Sequence, residues 1–306
     1  MTKSILIKSV ILVFAVLLLS DISSAQQDNR FWWNSLSPAW KKVIRDQELK
    51  GKEIDPTDEQ LLNIVNLISL NCRGNKEIQD LKPLARLSFL QTLDCSGTNV
   101  SSLEGLESLT NLKTLDCSDN DNINSLIPLS SLPNLETLNC GNTMVKNLSP
   151  LRGLYNLKHL DVHFCTVNSL SGISELKNIL DVDVSENQSL FTIDGIEKLP
   201  GLVSFNCSNT RISNVNSLQY SKTLEILDIS NTDVVTLRPL QMVRSLKEID
   251  CSNTKINAAS FDYFYSHTRL SMFRARNVDA TQKEIDDFAT LYAKHNANCD
   301  VIITPK

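Results

Sequence analysis

The sequence predicts an α/β solenoid, and three observations carry that prediction. An apolar anchor recurs at Leu70, Leu93, Leu115, Leu138, Leu160, Val182, Phe205, Leu227 and Ile249, always 22 or 23 residues after the last. The residue after each anchor is Asn71, Asp94, Asp116, Asn139, Asp161, Asp183, Asn206, Asp228 and Asp250, an Asn-Asp-Asp triplet written three times. Between anchors, Leu103, Leu106, Leu109 and Leu112 follow one another at three-residue steps, which suits a short helical or 3-10 return. Units of this length bury their apolar edges only by stacking, so 306 residues need one continuous core rather than two domains.

Taken in chain order, residues 1–25 have the layout of a secretory leader. Lys3 and Lys8 precede the apolar run Val10 to Leu19, and Ser23, Ser24 and Ala25 offer a small-residue cleavage site. The apolar run is short for a membrane span, and an uncleaved anchor is the competing reading. Residues 26–67 are expected to form a helical cap, because an open solenoid exposes its core at the first unit. Ser37-Pro38 opens one helix toward Gln47, and Thr57 to Gln60 is a capping box that opens a second toward Val65. Trp32, Trp33 and Trp40 fall in this segment, where covering the first repeat is preferred to an exposed patch.

The repeats, about nine to ten of them, occupy residues 68–279. In Leu93-Asp94-Cys95-Ser96, strand alternation sends Leu93 and Cys95 inward and Thr92, Asp94 and Ser96 outward. Turn length follows one residue: Asn75, Asn120 and Asn187 precede a wider turn, whereas Thr98, Thr143, Cys165, Thr210 and Thr232 do not. An inward Asn can hold several backbone groups at once, and a hydroxyl or thiol fewer. Pro or Gly starts the return in seven repeats, at Pro83, Gly105, Pro128, Pro150, Gly172, Gly195 and Pro239, with Ser217 in another. The Asn-Asp-Asp triplets favour an origin by triplication of a unit of about 67 residues, with chance agreement in a degenerate repeat as the competing explanation. Residues 280–306 supply the second cap: a capping box at Thr281 to Glu284, a helix with Ile285, Phe288, Leu291 and Tyr292 on its apolar face, and a closing strand over Asp300 to Thr304.

Eight cysteines in an exported chain ordinarily mean disulfides. Six of them, Cys72, Cys95, Cys117, Cys140, Cys207 and Cys251, share an inward column with Val162, Val184 and Ile229, so they read as small buried hydrophobes in the thiol form. There is no CxxC pair to hold zinc.

The pattern L-x-x-L-x-[CLVI]-x-x-[NTC]-x-[VIL], followed by a Pro-Leu or Gly-Leu return, resembles the leucine-rich repeat proteins, and its 22-residue step is similar to the bacterial internalin and phosphatase-regulator classes. The resemblance implies a parallel sheet on the concave face of a curved solenoid, short helical turns on the convex face, and a concave surface that binds macromolecules, usually proteins.

Function is carried by fewer residues. Without the leader the chain has 28 basic and 34 acidic side chains, a net charge near −6, and no basic patch, which argues against nucleic acid. No phosphate loop, nucleophile elbow or zinc-protease helix appears. The one unusual cluster is Lys158-His159-Leu160-Asp161-Val162-His163-Phe164-Cys165. His159, Asp161 and His163 face outward where other repeats place small polar residues, with Asp181 and Asp183 on the next strand. Recognition of a partner is the preferred reading; a metal site and drift on a solvated face are the others. The histidines stand about 13 Å apart on a strand and cannot share an ion. Paired aspartates also favour a basic partner, with calcium as a weaker reading. The chain is thus expected to be an exported, periplasmic or secreted, non-enzymatic monomer without cofactor. It is expected to bind a protein partner through His159, Asp161, His163, Phe164, Asp181 and Asp183. Its rivals are a structural envelope protein without a specific ligand and a hydrolase or ligase built on the scaffold.

Overall fold

A computed structural model describes residues 24–306 except 295 and 297. Eleven strands form a single sheet in chain order, β1 to β11, and every adjacent pair is parallel. The first nine strands run from β1 (Ser69–Asn71) through β3 (Thr114–Asp116), β4 (Thr137–Asn139), β5 (His159–Asp161) and β6 (Asp181–Asp183) to β9 (Glu248–Asp250). Their register places each anchor opposite the next, Leu70 on Leu93 and Leu227 on Ile249. A tenth strand, β10 (Met272–Val278), continues the column by pairing Phe273 with Ile249. The anchors are fully buried, and each Leu in such a site contributes roughly 1.5–3 kcal/mol of transfer free energy.

Pro and Gly solve the return in different ways. Four of the 3-10 turns, including Lys82–Arg86 and Ile127–Ser131, carry proline in their first turn, where its fixed φ is already right. Gly172 instead permits close packing of one return on the last: a Cβ there would lie 2.3 Å from the Leu148 carbonyl carbon. The wide turns are held as expected at Asn120 and Asn187. Asn187 Nδ2 donates to the carbonyls of Val162, Val184 and Ser185, while its Oδ1 accepts from the Val167 amide. Asn75, at the open start of the array, is only half-buried, and its Oδ1 accepts from Glu77 N.

Both ends are closed by helices. Residues 24–35 form α1, which the sequence pattern did not announce, followed by α2 (Pro38–Glu48) and α3 (Asp58–Val65) with the Ser37 cap and the Thr57 capping box in place. Trp33 and Trp40 are buried, and the Trp32 and Trp40 indoles donate to the carbonyls of Pro83 and Asp80, pinning the cap to the first return. Gln47 closes the free edge of β1 by donating to Ser69 O and accepting from Asn71 N. Beyond the array, α4 (Gln282–Ala293) leads into β11 (Asp300–Pro305). Ile285, Phe288 and Tyr292 are buried, but Leu291 is exposed, so the apolar face of α4 is narrower than expected. The leader expected over residues 1–25 lies almost wholly outside the described residues; residues 24 and 25 are helical. No described helix is long and apolar enough to cross a membrane.

All eight cysteines are free thiols, seven of them buried. Burial pushes the Cys72 thiol up to about 12 and holds those of Cys95, Cys207 and Cys251 well above the ordinary value, which disfavours the reactive thiolate at these positions.

Candidate functional site

The Asn-Asp-Asp column first serves the fold. At each of its nine positions the side-chain Oδ1 accepts the backbone N–H two residues on, ending the strand with an Asx turn, as Asp116 does for Ser118. In several repeats the serine hydroxyl donates to the same oxygen, at 2.6 Å from Ser118 to Asp116. In two of the three aspartate pairs the asparagine on the next strand hydrogen-bonds the second carboxylate: Asn139 Nδ2 donates to Asp116 Oδ2, and 67 residues later Asn206 Nδ2 donates to Asp183 Oδ2. Arg274 does the same for Asp250 at the end of the array. Asp183 therefore has both oxygens engaged within the scaffold, whereas Asp161 Oδ2 has no hydrogen-bond partner among the described residues.

The fifth repeat keeps this scheme and rebuilds its surface. His163 stands where Ser118 and Ser185 stand in other repeats, and its Nδ1 replaces their hydroxyl, 2.7 Å from Asp161 Oδ1. Because a carboxylate accepts, Nδ1 carries the proton and Nε2 is left for an outside partner. On β5 itself, His159 Nδ1 lies 2.6 Å from Asp181 Oδ2 across the register. Both pairs are open to solvent, with side chains 37–46% exposed. Each histidine is thus committed to its own carboxylate, and among the described residues no three metal-ligating side chains converge.

Gly141, on the preceding rung, is the residue that the sequence pattern did not single out. It too replaces a serine, and a Cβ on it would lie 2.2 Å from His163 Nδ1 and 2.3 Å from Cε1. The ring of one repeat occupies space vacated in its neighbour. The only available signal was glycine in the column of Ser96, Ser118 and Ser185 beside the one histidine.

Burial disfavours charge on His163, but its hydrogen bond to Asp161 and the fields of Asp161, Asp183 and Asp119 outweigh that and hold the imidazole above 6.5. Phe164 does not join the concave face. It occupies the turn past β5 with φ 49°, in a column otherwise filled by residues such as Gly97, Asp119, Asn142, Glu186 and Asn209, and its ring is 59% exposed at the sheet edge. The six residues singled out therefore divide into two histidine–carboxylate pairs, a structural aspartate and an edge aromatic.

Comparison with known proteins places the array. Residues 88–178 match the family model of leucine-rich repeats in three overlapping segments, and the array has the leucine-rich repeat fold. It is similar to bacterial internalins. An internalin from Listeria monocytogenes, InlF, superimposes with a TM-score of 0.60 at 18% identity over 87% of this chain and 94% of that one. The functional domain of InlJ from the same organism, described as including a cysteine ladder, gives 0.67 at 18% identity over 90% of this chain and 61% of that one. The Arabidopsis receptor kinase HAESA ectodomain, in complex with a peptide hormone, gives 0.60 at 19% identity over 74% and 40%. At these identities the fold alone is shared. No curated protein matches the sequence.

Proposed function

We propose that the chain is an exported, non-enzymatic binding protein whose concave sheet face, centred on β5, engages a protein partner. The observation that carries this reading is the fit of His163 into the space left by Gly141. Drift on a solvated face changes one residue at a time, whereas here two adjoining rungs of one column depart together and the Asx turn is preserved. The two imidazoles present unpaired Nε2 atoms beside Asp161 Oδ2, a mixed polar surface suited to backbone and side-chain groups of a polypeptide. The peptide complex of the plant ectodomain of like fold supports this use. Export rests on the layout of residues 1–25, and it places the protein in the periplasm or outside the cell.

A photo-crosslinking residue in place of His159, with the same residue in place of Thr92 as control, tests the reading in the organism's own envelope. A discrete protein adduct at position 159 and none at 92 is expected. Equal labelling at both positions, or none at either, would sink it and leave an envelope scaffold as the better description.

A further inference from the structure

The edge of the sheet next to the histidine pairs carries a cavity of about 490 Å³. It opens among the turns that follow β3 to β6, with Met144 and Phe164 as its apolar wall and Asp121 and Glu186 among its polar lining. Met144 and Phe164 are 53% and 59% exposed, in adjacent repeats. Other repeats place Asn99, Arg211, Asp233 or Lys255 where Met144 stands, so both apolar residues depart from the pattern. Phe164 keeps the left-handed conformation of its column and departs in side chain. A bulky side chain in the left-handed region is strained, and every other described residue of its column is Gly, Asn, Asp or Glu.

What fits this cavity follows from charge and from a contact the array makes elsewhere. Asp121 and Glu186 enter no ion pair among the described residues. In the repeat after that of Phe164, the exposed ring of Phe191 is covered by the protein's own Arg211 from the following repeat, with the guanidinium carbon 5.9 Å from the ring centroid. No described cation covers Phe164. We propose that the edge cavity receives an arginine side chain from an extended segment of the protein partner. Its aliphatic stem lies along Met144, its guanidinium stacks on Phe164, and Asp121 and Glu186 supply the countercharge. This rests on the reading of the fifth repeat as a recognition surface, and it adds the chemistry of one anchor residue.

The test uses the folded chain with its methionine methyl groups labelled, since Met144 reports the cavity and Met242, exposed on the return after the strand Ile226–Asp228, serves as the internal control. The probe is a blocked Gly-Arg-Gly tripeptide, compared with its citrulline analogue, which keeps the shape and loses the charge. A saturating shift of Met144 alone is expected, with affinity for citrulline lower by roughly tenfold. Phe164→Asn, which installs a residue the column already uses, and the surface change Glu186→Gln should each weaken the arginine shift, the first by roughly tenfold. His159→Thr with His163→Ser should leave it unchanged. Equal shifts for arginine and citrulline, no shift of Met144, or full binding by the Phe164→Asn protein would overturn the proposal. Because the probe needs no partner, its failure beside a position-159 adduct removes the arginine anchor alone, and its success without an adduct removes the concave-face reading.

Discussion

Repeats three and five are built on the same strand and differ in almost everything that faces out. Leu115 and Leu160 occupy the same buried column, and Asp116 and Asp161 close the same Asx turn. Outside, Thr114, Ser118 and Asp119 of the third repeat correspond to His159, His163 and Phe164 of the fifth. The difference teaches that the scaffold delegates its backbone chemistry to one oxygen per repeat, Oδ1 of the Asn/Asp column. As long as the backbone N–H two residues on reaches that oxygen, the side chain beside it, serine, histidine or glycine, is free to change. The price of a larger donor is the side chain of its neighbour, which is why Gly141 lies beside His163.

The comparison can be broken from the scaffold side first. Asn187→Ala would orphan the buried Val162 and Val184 carbonyls and the Val167 amide, and take one of two donors from the Ser185 carbonyl, so a loss of roughly 3–4 kcal/mol is expected in urea unfolding. A change within 1 kcal/mol would show that water replaces the amide. Next comes the fit between repeats. Gly141→Ser restores the pattern of the third repeat but forces the His163 ring aside, at about 1–3 kcal/mol. Adding His163→Ser should recover most of it, and a coupling energy of about 1 kcal/mol or more in the double-mutant cycle is the signature. Additive effects would mean that the ring moves freely. Smaller still, Phe164→Asn should raise stability by about 1 kcal/mol, because it relieves a left-handed aromatic.

The smallest effects are in pH, and here two histidines have opposite signs. His163 is held above 6.5, so its contribution to stability is present below that pH and is lost as pH rises through its folded value. His267 is buried among the last returns, and burial and the Arg244 charge depress it, so its penalty appears as pH falls below 6.5 toward its folded value. Titration of both imidazoles by NMR should find them on either side of 6.5. Both on one side would contradict the local fields described above.

Much of the fold was legible because periodicity reports burial directly. The nine anchors, the capping boxes at Thr57 and Thr281, the closing strand and the thiol column each depend on one chain segment and its distance from the last. What stayed hidden depends on neighbours across the sheet. The Asp column reads as surface charge until the hydrogen bonds show it ending strands. Gly141 is an absence that acquires meaning only beside His163, and Phe164 reads as concave until its φ turns it to the edge. Helix 24–35 was obscured by its position beside the leader pattern, and Leu291 by a helical face that α4 buries only in part.

The central claim is that the fifth repeat exchanges the regular surface for a recognition surface. It is tested most directly by returning it to the pattern: Gly141→Ser, His159→Thr, His163→Ser and Phe164→Asn in one chain, with partner capture and urea unfolding measured together. The account predicts a protein at least as stable as the original that no longer captures the partner crosslinked through position 159. Undiminished capture by this regularised array would contradict it.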